Sequence, residues 1–360
     1  MRLRRASILN AGLLPPTNVT AEVSGSDIIV SWTAANFVDG YHVYQQIDGG
    51  TWTKLNATAT TDLTYTLTPT EPGEYNFYVT SVRGTKESAP SAETLLDDVF
   101  YFAVNSTQTI SGLFSTTGEI TVHWGDGTSN TYNGTDQAWS KDYGSAVDEL
   151  VVIEGSDYIT KFTMYQSGAD ISFDLGHLPT NLTYFLCYGS NTISGSLADL
   201  PSGLTYFNCT GLNTVSGSLA DLPAGLTIFN CYGSNTVSGS LGDLPSGLTY
   251  FLCQGLNTVS GSLADLPSGL TYFNCYGLNT IDTYTTRTWT TKPSTFVFVP
   301  VSPGGLSETE INQLLVDLDE DLEWTSGTIT LTGTNAAPTG VGLTAANNMD
   351  AEGATVTVNS

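Results

Sequence analysis

Apolar and polar positions alternate along the chain in short runs, and from Leu182 onward the pattern recurs every 22 residues. The text reads LTYFLCYGSNTISGSLADLPSG, LTYFNCTGLNTVSGSLADLPAG, LTIFNCYGSNTVSGSLGDLPSG and LTYFLCQGLNTVSGSLADLPSG, then LTYFNCYGLNTID. A fixed period of this size predicts a solenoid, in which each unit buries its apolar face against its neighbours. Within a unit the alternation predicts a strand with Leu204, Phe207 and Cys209 inward and Tyr206, Asn208 and Thr210 outward. The SGSL and LPSG segments carry the glycines and proline of a turning return path. A degenerate first unit is visible in Ile159, Phe162, Met164, Ile171, Leu175 and Leu178.

Upstream, Ile28, Val30 and Trp32 alternate as a strand, as do Tyr41 with Val43 and Tyr75, Phe77 with Val79. Asp48-Gly49-Gly50 suits a hairpin turn. A second β-rich stretch, GEITVHWGDGTSNTYNGT, holds a strand followed by the tight turn of Trp124-Gly125-Asp126-Gly127. Downstream of the repeats Phe296, Val297, Phe298 and Val299 predict a strand, which Pro303-Gly304-Gly305 ends. Ser307 and Glu310 form a capping box for a helix with Ile311, Leu314, Leu315 and Leu318 on one face. A strand at Ile329 and Leu331, a short helix over 343–349 and a last strand over 355–358 follow. Such a unit would shield the open end of the repeat core.

The fold class is therefore mainly β: two N-terminal β-sandwich domains, then the repeat solenoid with a C-terminal α/β cap. The expected boundaries are an arm at 1–14, β-domains at 15–95 and 97–158, repeats at 159–283 and the cap at 284–360. At 360 residues the chain has ample length for this series.

A formal charge of −25 argues against nucleic acid and against anionic membrane surfaces as partners. No Lys or Arg lies between Lys161 and Arg287, so the repeats are nearly neutral apart from one Asp each. No apolar run is long enough to span a bilayer, and membrane insertion is not expected. The start, MRLRRASILNAGLLPP, has a basic n-region, but its short apolar stretch is interrupted by Asn10, which weighs against a cleaved signal peptide. All five cysteines, Cys187, Cys209, Cys231, Cys253 and Cys275, share one inward register. An odd set at a core position reads as small buried hydrophobes, neither a disulfide framework nor a metal site.

The repeat, with Leu204-x-x-Phe207-x-Cys209, Asn213, Val215, Gly217, Leu219, Leu222 and Pro223, resembles a leucine-rich repeat of the extracellular or plant-like kind. It departs from that pattern by one extra residue before the asparagine. The segment with Trp32, Tyr41 and Tyr75 resembles a fibronectin type III domain, and Tyr75 follows Leu67 at the spacing of that family's tyrosine corner. The Trp124-Gly125-Asp126-Gly127 element resembles that of PKD-like β-sandwiches. The run from Gly305 to Asn359 resembles the C-terminal block of leucine-rich proteins in tailed bacteriophages.

No cofactor and no metal is expected, and no enzymatic activity. His42, His123 and His177 lie in three different segments, and no nucleophile–base constellation can be assembled. Asp126 reads as a turn residue, with calcium ligation as the sharper alternative. The column Asp199, Asp221, Asp243 and Asp265 reads as carboxylates accepting backbone N–H bonds in their turns, with a calcium ridge again the alternative.

The candidate binding surface is the outer face of the repeat strands. Its columns are Tyr184, Tyr206, Ile228, Tyr250, Tyr272; Leu186, Asn208, Asn230, Leu252, Asn274; and Tyr188, Thr210, Tyr232, Gln254, Tyr276. Aromatic plates interleaved with amides suit sugar rings. They also suit a protein partner, or serve only as ladders that stabilise the sheet. The expected function is that of a non-enzymatic structural and adhesion protein of a tailed-phage virion, contacting a host-surface glycan or protein and other virion proteins. Homo-oligomers stay open. Arg2, Arg4 and Arg5 are the candidate virion-docking residues. The alternative is a bacterial cell-surface adhesin of the same modules, with an enzyme a distant third.

Overall fold

The computed structural model describes residues 12–360 apart from 167–169, 190–191, 212–213, 234 and 302. Arg2, Arg4, Arg5, Asn191 and Asn213 lie outside the described residues. The chain is mainly β and divides into two compact units.

The first unit comprises the chain up to Ala103 with Ile120–Thr131 and Glu149–Ser156. Its N-terminal part is a β-sandwich. One antiparallel sheet joins Thr17–Ser24, Asp27–Thr33 and Thr64–Leu67. The other places Gly40–Ile47 between Thr53–Lys54 and Tyr75–Arg83, with Lys86–Glu87 and Thr94–Leu95 also on Tyr75–Arg83. Alternation decides which side chains face inward: Ile28, Val30, Trp32, Tyr41, Val43, Tyr75, Phe77 and Val79 form the core. Trp32 meets Tyr41 edge-on at 5.4 Å. The Tyr75 hydroxyl donates to the Glu71 carbonyl at 2.8 Å, so the tyrosine corner forms as its spacing predicts. Burial pushes that phenol up to about 12. The hairpin turn at Asp48 and Gly49 has both residues at positive φ, which is why the sequence there is Asp-Gly-Gly.

Residues 97–158 do not cluster as a unit of their own. The strands Val99–Thr116 and Gln137–Glu154, 18 residues each, contribute to both units. The Trp124-Gly125-Asp126-Gly127 element falls in the first unit, at the turn between Ile120–His123 and Ser129–Tyr132. Asp126 Oδ1 accepts from the Thr128 amide at 3.0 Å and its hydroxyl at 2.6 Å, which accounts for the carboxylate as a turn residue.

The second unit comprises Val104–Glu119, Tyr132–Asp148 and Asp157–Ser360. The five strands Tyr184–Gly189, Tyr206–Thr210, Ile228–Tyr232, Tyr250–Gly255 and Tyr272–Gly277 pair in parallel, each residue opposite its counterpart one repeat away. The ladder begins on Ile159–Gln166 and continues through Thr295–Pro300, Thr328–Leu331 and Thr355–Val358. A second parallel ladder runs through Thr192–Ser196, Thr214–Ser218, Thr236–Ser240 and Thr258–Ser260. Each of its strands leads into a one-turn 3-10 helix.

Identical residues stack because the repeat and the pairing share one step. Phe185, Phe207, Phe229, Phe251 and Phe273 form a buried file with ring centroids 5.5 to 5.8 Å apart. The five cysteines are free and buried beside them. Burial raises the Cys209, Cys231 and Cys253 thiols well above their ordinary range and Cys275 to about 12. Gly217 precedes a turn at φ +115°, and a Cβ there would sit 2.9 Å from the Leu197 amide of the preceding coil.

Polar side chains tie coil to coil. Asn235 and Asn257, both buried, accept the Val215 and Val237 amides of the preceding coil at 3.0 and 2.8 Å. The one extra residue in the repeat therefore does not prevent an asparagine ladder at these positions. At the C-terminal end α1 (Glu308–Asp321) starts at the Ser307–Glu310 capping box, and α2 (Gly340–Glu352) follows. Buried Asp317 on α1 accepts from the Tyr284 hydroxyl (2.7 Å), Gln313 Nε2 (2.7 Å) and the Arg287 amide (3.1 Å). Arg287 donates to the Leu266 and Ala264 carbonyls at 2.7 and 3.1 Å, satisfying the end of the last 3-10 turn.

Candidate aromatic and amide face of the repeat sheet

The three outward columns read from the sequence form as registered files. Tyr184, Tyr206, Ile228, Tyr250 and Tyr272 are consecutive partners, as are Leu186, Asn208, Asn230, Leu252 and Asn274, and Tyr188, Thr210, Tyr232, Gln254 and Tyr276. None of these residues carries a formal charge, and the file ends at Lys161. That ammonium lies 4.9 Å from the Tyr184 ring centroid and 2.7 Å from Asp136 Oδ1.

The tyrosines of the first column are not evenly spread. Tyr184 stacks on Tyr206 with centroids 4.0 Å apart, and Tyr250 on Tyr272 at 4.1 Å. Ile228 separates the two pairs. Burial, with the adjacent phenol adding to it, raises the Tyr184 and Tyr250 hydroxyls, so both stay neutral at physiological pH. In the third column Tyr188, Tyr232 and Tyr276 project furthest, at 44, 51 and 51% exposure.

The middle column is deeper than alternation alone implies. Leu186 and Asn230 point outward yet are buried, at 9% exposure each, because rows of larger side chains flank them on both sides. Asn274 accepts from Gln254 Nε2 at 3.0 Å. Asn208 Oδ1 and Asn230 Oδ1 are enclosed and have no hydrogen-bond partner. A buried amide without a partner carries a desolvation cost.

The aspartate column has a local role. Asp199, Asp221, Asp243 and Asp265 each accept the backbone amide of the serine three residues earlier, at 3.1 to 3.4 Å, while that serine caps the same turn. A further file, of threonines, lies beside these columns. Thr183, Thr205, Thr227, Thr249 and Thr271 each donate a hydroxyl hydrogen bond to the carbonyl 22 or 23 residues earlier, at 2.8 to 3.1 Å. Its signal was a threonine kept in every copy immediately before the strand, at a position belonging to neither core nor face.

A fibronectin type III family model matches residues 14–94. Among solved structures, a Fn3-like protein from Clostridium thermocellum is 30% identical over a match that covers 24% of this chain and 94% of that one, with a TM-score of 0.22. The titin kinase with its flanking domains matches at 15% identity, covering 34% of this chain and 29% of that one, also with a TM-score of 0.22. No curated protein matches the chain. Residues 14–94, with Trp32 in the core and the corner at Tyr75, belong to the fibronectin type III family.

Proposed function

We propose that the chain is a non-enzymatic adhesion protein of a tailed-phage particle, in which a leucine-rich solenoid presents its aromatic and amide face to a host-surface glycan. The observation that carries the glycan reading is the registered, uncharged face of Tyr184, Tyr188, Tyr206, Asn208, Asn230, Tyr232, Tyr250, Tyr272, Asn274 and Tyr276. Aromatic faces stack on the C–H faces of sugars, and amides between them take hydroxyls. The solenoid reading is supported by the agreement between the sequence period and the parallel pairing step. The particle assignment rests on the resemblance of the C-terminal run and of the Trp124-Gly125-Asp126-Gly127 element. In this reading the fibronectin domain is a spacer, and Arg2, Arg4 and Arg5 dock on acidic virion proteins.

Each glycan contact is weak, on the order of millimolar, and display in many copies raises avidity by roughly 100-fold or more. The test is the variant with Tyr206, Tyr250 and Tyr272 all replaced by Ala, checked for folding by its buried thiols and then displayed on beads over a glycan array. Loss of the wild-type signal is expected, with wild-type binding nearly equal at low and high salt because the face is uncharged. A folded triple variant that binds as wild type would make the face a scaffold.

A further inference from the structure

We infer that the face holds one discrete subsite for a single uncharged pyranose ring, above Ile228 and between Tyr206 and Tyr250. The inference rests on the glycan reading above and narrows it from a continuous ladder to a single recess.

The stacking geometry makes the recess. Adjacent parallel strands lie about 4.8 Å apart. The Tyr184–Tyr206 and Tyr250–Tyr272 centroids are closer than that, at 4.0 and 4.1 Å, so each ring stacks on its own pair mate and Ile228 stands between the two pairs. One face of Tyr206 and one of Tyr250 are left without a stacking partner in the column. They look toward each other over the shorter isoleucine, across two strand steps, or about 10 Å. A flat guest touching both rings needs only about 7 Å, two contacts of van der Waals length. The puckered chair of a saccharide is thicker than a flat ring and suits the wider slot.

The chemistry beside the recess points the same way. The next outward residues along the strands are Asn208 and Asn230, whose amide oxygens are enclosed and unpaired, Asn230 being nine-tenths buried. With the oxygens turned in, the amide nitrogens are the groups left to donate to hydroxyl or ring oxygens. Tyr232, half exposed between the smaller Thr210 and the unbranched Gln254, stands one position further along as an end wall. Elsewhere in the first column, between Tyr184 and Tyr206 and between Tyr250 and Tyr272, the partner ring fills the corresponding space.

Ile228→Tyr is the discriminating substitution. It places in this coil the residue that the other four carry, so the array keeps its fold while the recess is filled. The full chain is titrated on an array of neutral hexose and N-acetylhexosamine oligosaccharides, and the best binder is then followed by calorimetry. Wild type should bind one oligosaccharide per chain. I228Y should bind at least about tenfold more weakly, having lost both stacking walls, whereas Val341→Ala, exposed on the helix Gly340–Glu352 and outside the face, should change affinity less than about threefold. I228Y binding as tightly as wild type, or more so, would overturn the recess and leave the continuous face standing. A triple tyrosine variant that binds as wild type, or a wild type that binds nothing on the array, would overturn both.

Discussion

Replacing Asn230 with leucine should make the array more stable. The amide is 9% exposed and its oxygen is enclosed without a partner, a condition that costs about 1 to 3 kcal/mol. Leucine already occupies the same column at positions 186 and 252, in register with position 230, so the backbone accommodates the side chain. Removing the unpaired oxygen should recover about 1 to 2 kcal/mol. The array can be followed alone, because all five cysteines lie in it: pulsed thiol labelling across a urea series reports its opening and no other event. With a urea slope of about 2 to 3 kcal/mol per molar, the midpoint should rise by about 0.5 M. Asn274→Leu is the control, since Asn274 accepts a bond from Gln254 and should lose about 0.5 to 1.5 kcal/mol with it. A fall in the Asn230→Leu midpoint at unchanged slope would show that the amide is engaged in the folded state. A residue retained against stability is what a binding surface leads one to expect.

Phe229→Ala removes a fully buried ring stacked between Phe207 and Phe251 and should cost about 3 to 5 kcal/mol, whereas Tyr232→Ala, half exposed on the outward face of the same strand, should stay within about 0.5 kcal/mol. Equal losses by the same urea assay would mean that the strand faces are reversed. The thiols of Cys209, Cys231, Cys253 and Cys275 ionise only above their ordinary value near 9, because burial disfavours the thiolate. Between pH 9 and 10 the folded chain thus holds protons that the unfolded chain has released. Stability, full below pH 9, should fall as pH rises, by about 1.4 kcal/mol per pH unit for each thiol that titrates this way. A pH-independent urea midpoint over that window would contradict the burial, and Cys231→Ala should make the fall shallower.

The repeat array was legible because its period, its core file and its face columns are written five times over, and one register error would have exposed Phe207 and buried Tyr206 together. The helix at 308–321 was legible from the Ser307–Glu310 box, and the corner from the spacing of Tyr75 after Leu67. The uneven tyrosine stacking was not. Ile228 reads in the sequence as one conservative variation, and only ring distances show that the tyrosines pair off tightly on either side of it. Nor was the burial of Asn230, since alternation gives the direction of a side chain but not the height of the residues beside it. The division of residues 97–158 between two units also escaped. The strands Val99–Thr116 and Gln137–Glu154 each run on from one unit into the other, with no turn at the point of division.

The threonine file has a direction. Thr183, Thr205, Thr227, Thr249 and Thr271 each donate toward the N-terminus, to a carbonyl already present in the coil before, and Ser294 carries the same bond beyond the last repeat. A chain emerging from the ribosome therefore offers each new coil a finished template, and growth can proceed one turn at a time from Thr160 onward. Loss of coils from the C-terminal side leaves a bare carbonyl that water can satisfy. Loss from the N-terminal side leaves a hydroxyl and an amide that water accepts from equally well, so what shortening costs at either end is the buried contact between coils and not a hydrogen bond.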